Sequence, residues 1–301
     1  MLANPRIGPP TEAGAVAFLL GGRRRGGDAL AEAAGVSHKA QIPVAGIPMG
    51  LRVIRTLHAS KHVAETWLCT DDPELAAHEE VARACGRGKI HVHPPAETPS
   101  GSVESLLSRL DRPRQVLVTT ADHPLLEPRM VDHFIERASQ CDADVVVGVV
   151  PEHIVREHYP DVRRTFVGLR DERITGANLF FLRTPRAVRA VAFWREMDAH
   201  RKHPWRLAAR IGVGSLARLA LGRLDLDAAV ERISKRAGVR AEALRLPFPE
   251  CALDVDRPEH LALAEQILQA RANKSTGGDG VYKVDLGPRS GIGYPSKRGR
   301  P

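Results

Sequence analysis

Residues 115–126 read QVLVTTADHPLL. A run of apolar and β-branched residues closing on an acid, a histidine and a proline describes a buried strand that stops at Asp122. In an open parallel sheet, ligands bind beyond the carboxyl ends of the strands, near the point where strand order reverses. A carboxylate at that position is suited to a hard cation, so Asp122 is a candidate Mg²⁺ ligand. The competing reading makes Asp122 a cap or turn residue for the helix expected from residue 127. His123 reads as an orienting or structural residue, because no metal-ligand spacing surrounds it.

On either side of this stretch the chain alternates strand and helix patterns, which predicts an α/β fold built from βαβ units on a mainly parallel sheet. The expected strands are 15–20, 65–69, 89–93, 115–120, 143–150, 176–182 and 243–247. The expected helices are 51–59, 72–85, 102–110 and 127–139, with Asp72 and Ser102 as N-caps. A loop of about twenty residues, 21–41, follows the first strand, and long loops at such places carry function. Residues 183–240 turn helical and basic, with 14 Lys and Arg against 5 Asp and Glu, and read as an insertion or lobe. A last amphipathic helix opens on an Asp256/Glu259 capping box. The organisation expected is therefore a flexible N-terminus, 1–13, one domain over 14–271, and a disordered basic tail, 272–301, holding 7 Gly.

The 301 residues are 43% hydrophobic and 27% charged, enough for a sizeable core and against a mostly disordered chain. No apolar run approaches the roughly 18 residues that cross a bilayer, and no signal-peptide pattern is present, so a cytoplasmic protein without a membrane partner is expected. Four cysteines, Cys69, Cys85, Cys141 and Cys251, are too scattered for a disulfide or metal framework. A net charge of +8 favours phosphate-bearing partners.

Three further stretches bear on chemistry. Gly21 and Gly22 directly after the first strand would let backbone N–H groups approach phosphates, with Arg23, Arg24, Arg25 and Lys39 adding positive charge. A flexible surface turn with solvated arginines is the alternative. Asp254 and Asp256 stand two apart, on one face of an extended segment, and suit a hard cation, although Asp256 is equally explained as a helix cap. Ser100, Gly101 and Ser102 form a small-residue turn that receives a base edge or caps a helix.

Taken in order, LLGGRRR, SHKAQIPVAGIPM, TPSGSVESLL, VLVTTADHPLL, GANLFFLRTP and DVDRPEHLALAEQI resemble the MobA-like NTP transferases of the nucleotidyltransferase superfamily, over about residues 14–270. The resemblance implies a three-layer, Rossmann-like nucleotide-diphospho-sugar transferase fold with a mixed, mostly parallel sheet. It also implies Mg²⁺-dependent transfer of a nucleoside monophosphate from an NTP to a phosphorylated acceptor, such as a sugar phosphate, a polyol phosphate or molybdopterin, with release of pyrophosphate. Carried over by residue, Leu20, Gly21 and Gly22 hold the triphosphate with Arg24 and Arg25, while Arg23 and Lys39 join Asp122 in catalysis. Ser100, Gly101 and Ser102 meet the base, Asn178 lines the acceptor side, and Asp122 and Asp256 are the metal ligands. Leu20 replaces the usual alanine, His38 replaces a proline, and the glycine loop is remade as RRRGGD.

Two other classes fit parts of the chain. A nucleotide-binding regulatory module without turnover suits the remade loop. Nucleic-acid binding through the basic stretches suits the charge, but aromatics are 4% and no stacking pattern accompanies it.

Overall fold

A computed structural model describes residues 7–8, 14–23, 27–111, 114–200 and 224–275. The chain runs β1 (Ala15–Leu20), α1 (Ala29–Ala33), β2 (Pro43–Val44), β3 (Ile47–Pro48), α2 (Met49–Ala59), β4 (Val63–Cys69), α3 (Pro73–Ala77), α4 (Glu79–Gly86), β5 (Ile90–His93) and α5 (Pro99–Arg109). It continues through β6 (Val116–Thr120), α6 (Pro128–Gln140), β7 (Val145–Pro151), α7 (Glu152–His158), β8 (Val167–Gly168), β9 (Arg173–Leu182), α8 (Val188–His200), α9 (Leu226–Ala237), β10 (Ala241–Arg245) and α10 (Pro258–Ser275).

The main sheet has the order β10-β7-β9-β6-β1-β4-β5, with β8 beside β9. β9 runs antiparallel to both neighbours, β6 and β7, while the β10–β7, β6–β1, β1–β4 and β4–β5 pairs are parallel. The sheet is thus mixed and mostly parallel, as expected. Alternation along β1 sends Ala17 and Leu19 into one core with Met130, Phe134 and Ile54, and Val16 and Phe18 into a second with Val103, Leu106 and Val191. Helices therefore cover both faces and make three layers. From β1 the chain steps outward to β4 and β5, then crosses back to β6 on the other side of β1. The carboxyl ends of β1 and β6 meet at that switch point.

Several local outcomes differ from the sequence reading. The helix expected over 72–85 is two helices broken at His78, whose backbone is extended (ψ 136°) and whose ring Nδ1 accepts from the Glu80 N–H. Asp72 caps α3 as expected. α5 begins at Pro99, capped by the Thr98 hydroxyl on the Gly101 N–H, so Ser102 is not the cap; its hydroxyl, buried, accepts from Ala96 N–H. β9 is longer than expected and antiparallel. Within the stretch 1–13 expected to be flexible, Ile7 is buried against the β1 and β6 face and Gly8 N–H donates to the Arg114 carbonyl. α10 extends through Ser275 into the expected tail. The middle of the basic insertion, 201–223, lies outside the described residues.

Candidate active site

Lys39 reaches the switch point from a single 3₁₀ turn, Lys39–Gln41. The hairpin that follows fixes this turn: β2 and β3 pair Val44 with Ile47, and Ala45 and Gly46 between them take positive φ (48° and 75°), the two-residue geometry that matches strand twist. Arg52 of α2 clamps the hairpin by donating Nε to the Val44 carbonyl at 2.8 Å. Gly50, one residue into α2, is tightly packed: a Cβ there would lie 3.0 Å from that of Ala40, so the turn would have to give by a few tenths of an ångström.

The Lys39 Nζ donates to Asp122 Oδ2 at 2.7 Å and to Asp256 Oδ1 at 2.5 Å. Asp122 Oδ1 accepts from the Thr120 hydroxyl at 2.6 Å, and no bond to the start of α6 occupies it; the residue at that helix cap is Glu127. The segment carrying Asp256 is zipped to this strand end, since Val255 N–H donates to the Asp122 carbonyl at 2.9 Å. Two carboxylates more than 130 residues apart thereby converge on one ammonium. Burial would raise the Asp122 carboxyl, but the Lys39 and His123 charges and the bonds from Lys39 and Thr120 overcome it and hold the group at about 2. Burial likewise works against the Lys39 ammonium, and the two carboxylates outweigh it, raising its pKa.

The glycine turn is the next wall. Gly21 N–H is spent on the Cys69 carbonyl at 2.8 Å, its carbonyl accepts from the Thr70 hydroxyl, and a Cβ on it would touch that of Ala121 at 3.3 Å. A Cβ on Gly22 would lie 2.6 Å from Pro95, a close approach only glycine allows. Arg23 N–H donates to Asp71 Oδ1 at 2.9 Å, so Gly22 is the residue of this turn whose N–H makes no bond to the described residues. Leu20 ends β1 beneath it. Arg24 and Arg25 lie outside the described residues. His38, buried beside Lys39, bonds Ser37 through Nδ1 and points Nε2 at Asp71 from 3.5 Å.

Ser100, Gly101 and Ser102 form the first turn of α5, whose preceding loop packs Pro95 on Gly22. Ser100 is fully buried, and its hydroxyl donates at 2.5 Å to Asp198 near the end of α8. Nothing in the local sequence couples residues 100 and 198; the antiparallel packing of α8 on α5 does so.

Behind the lysine lies a second cluster. Asn178 sits in a bulge where Val147 pairs with Phe180 but Val149 pairs with Gly176, and its φ of 50° is left-handed. The bulge turns its amide to donate to His123 Nε2 at 2.9 Å and to Asp254 Oδ2 at 3.1 Å. Asp254 also pairs with Arg164. Burial pushes the His123 imidazole below its usual range, and Nε2 is the atom that accepts from the Asn178 amide. Asn178 thus meets Asp254 rather than the lysine cluster, and Arg164, which no sequence pattern singled out, belongs to this buried group.

A glycine turn, a lysine and two acids at the switch point of a three-layer α/β sheet define the class, a nucleotidyltransferase of Rossmann-like fold. The chain belongs to the MobA-like NTP transferase domain family, which matches residues 22–237. It is similar to a hypothetical transferase from Thermus thermophilus, at 31% identity over 82% of this chain and 99% of that one, with a TM-score of 0.71. It shares its fold with a CMP:2-keto-3-deoxy-manno-octonic acid synthetase solved with CTP, at 14% identity, 86% and 99% coverage and a TM-score of 0.52. It also shares it with a 4-diphosphocytidyl-2C-methyl-D-erythritol synthase from Anaerococcus prevotii, at 10% identity, 86% and 100% coverage and a TM-score of 0.51. No curated protein matches the chain. No helix among the described residues is long and apolar enough to cross a membrane.

Proposed function

We propose that this nucleotidyltransferase moves a nucleoside monophosphate from an NTP to a small phosphorylated acceptor, such as a sugar phosphate, a polyol phosphate or molybdopterin, in a Mg²⁺-dependent reaction. The observation that carries the proposal is the convergence of Asp122, Asp256 and Lys39 beside the Gly21–Gly22 turn. Asp256 lies beyond the family match, so its presence there is a property of this fold rather than of the match.

The donor set fits a hard cation: two carboxylates aim oxygens at one point. Among the described residues no group of three His, Cys, Asp or Glu is placed to hold a metal ion, so Asp122 and Asp256 would hold it together with groups from outside the protein. Bound there by Asp122 and Asp256, Mg²⁺ would neutralise phosphate charge as the transition state forms. An oxygen of the acceptor phosphate attacks the α-phosphorus, the bond to the β-phosphate oxygen breaks, and pyrophosphate leaves. Lys39 and Arg23 neutralise the leaving pyrophosphate, and the Gly22 N–H, which bonds none of the described residues, faces a phosphate oxygen. The acceptor is already an anion, so its attack calls for no strong general base. Ser100, Gly101 and Ser102 border the base, and Leu20 underlies it. Asn178 acts on the acceptor side, through the His123 and Asp254 contacts that shape it. The four free thiols suit a reducing cytoplasm.

The test is pyrophosphate release with each of the four NTPs and Mg²⁺ against a panel of sugar phosphates, polyol phosphates and molybdopterin. One NTP and one acceptor should give release that Asp122→Ala abolishes. Saturable NTP binding with no release across the panel would reject transfer to these acceptors.

A further inference from the structure

The Lys39 ammonium stands where a cation held by Asp122 and Asp256 would stand. Both Asp122 oxygens are engaged, Oδ2 by Lys39 at 2.7 Å and Oδ1 by the Thr120 hydroxyl at 2.6 Å, and Asp256 Oδ1 accepts from the same ammonium at 2.5 Å. Lys39 and Asp122 are both largely shielded, with side chains 14% and 16% exposed, so solvent screens this cluster weakly. With Lys39 in place the three groups carry one net negative charge, where the bare pair would carry two. A divalent ion arriving alone would have to replace these bonds and sit against a positive charge.

We infer that Lys39 keeps the Asp122–Asp256 pair closed to a free divalent cation and yields it when a triphosphate draws the ammonium onto its own oxygens. The inference rests on the reading of these aspartates as metal ligands. Two features make the exchange local. The Gly21–Arg23 turn borders Ala121, the residue before Asp122, so a triphosphate on that turn lies beside the ammonium. Lysine also carries a compact charge on a flexible four-carbon stem, and can pass from carboxylate to phosphate by rotamer changes alone. The cation then binds with the nucleotide or after it, and in the empty protein the acidic pair is half neutralised from within.

Mn²⁺ binding to the full chain, followed by the electron paramagnetic resonance of free Mn²⁺, tests this without turnover. In the absence of nucleotide, Lys39→Met should bind Mn²⁺ at least about ten-fold more tightly than the unaltered protein, the size expected for removing one adjacent charge. Lys39→Gln, which can still hydrogen-bond both carboxylates, guards against loss of folding and should shift in the same direction. Measured against protein-free titrations that account for Mn²⁺ held by the nucleotides themselves, a mixture of the α,β-methylene analogues of the four NTPs should tighten Mn²⁺ binding to the unaltered protein. Mn²⁺ should also raise the melting temperature of the nucleotide-free variants more than that of the unaltered protein. Equal nucleotide-free affinity in all three forms overturns the closed state while leaving the metal ligands standing. Failure of every form to bind Mn²⁺, even with the analogues, overturns the metal reading and the closed state with it.

Discussion

Asp254 and Asp256 lie two residues apart on one extended segment, and their surroundings could hardly differ more. The Asp254 side chain is 11% exposed and sealed between the Arg164 guanidinium and the Asn178 amide. The Asp256 side chain is 38% exposed and shares the Lys39 ammonium with Asp122. An acid given its own buried arginine is bound to the fold, because leaving either partner alone would strand a buried charge. An acid half in water, facing a lysine, can change partners at little expense. Position on the segment is similar; what separates the two acids is the partner each meets and how deeply that pair is buried.

The contrast breaks first at Asp122, the other acid on Lys39. Asp122→Ala should lower kcat/KM for pyrophosphate release by roughly 10⁴-fold, about 5 kcal/mol of transition-state stabilisation, with circular dichroism unchanged. Activity within about ten-fold of the unaltered enzyme would move the chemistry elsewhere.

Stability should invert the ranking. Asp254→Ala leaves the largely buried Arg164 without its carboxylate and should lower the unfolding free energy by about 3–5 kcal/mol in a urea titration. Asp256→Ala removes a more exposed partner and should cost less than about 1 kcal/mol while suppressing pyrophosphate release. Equal losses of stability would erase the distinction between the two acids.

How much of this was legible in sequence follows the same division. β1, β6 and α6 are read from local periodicity within a residue or so, because burial on one or both faces writes itself into neighbouring positions. Asp122 stands out at a strand end and Lys39 as a charge in the long loop, while Asp256 reads equally as a helix cap and becomes a metal-ligand candidate only through the family resemblance; that the three meet is written in no local pattern. Arg164 was not, because it sits in an irregular loop and its meaning comes from Asp254, 90 residues away. The break at His78 and the cap by Thr98 turn on single backbone angles that composition does not encode. Asp198 over Ser100 depends on how two helices pack, a tertiary fact with no local trace.

Acid should sharpen the electrostatic side of the comparison. Asp122 is held at about 2 in the folded chain against an ordinary 3.8, so its contribution is present above the ordinary value and is lost as pH falls through the folded one. That difference corresponds to about 2 kcal/mol. The stability of the unaltered protein relative to Asp122→Asn should therefore be flat above about pH 5 and fall by about that amount towards pH 2. A flat difference throughout would mean that Lys39 does not hold this carboxylate in the folded state. Lys39, whose pKa is raised, contributes below its ordinary 10.5 and loses that contribution as pH rises through the folded value, so the neutral range is untouched by either titration.

The smallest effect is the most discriminating for the buried cluster. Asn178 holds φ at 50°, a conformation that an amide side chain tolerates and alanine resists, while its Nδ2 serves His123 and Asp254 together. Asn178→Gly and Asn178→Ala both delete those bonds, but glycine meets no heavy side-chain penalty at positive φ and alanine does. Alanine should therefore be the less stable of the two by about 1 kcal/mol, read from urea midpoints at equal slope. If the two variants are equally stable, the bulge relaxes once the amide is gone, and the left-handed turn is imposed by the His123–Asp254 bonds rather than by the strand register. If alanine is the worse, register sets the turn, and the amide is carried to Asp254 by the backbone, which keeps that acid occupied and leaves Asp256 as the one exchanging partners.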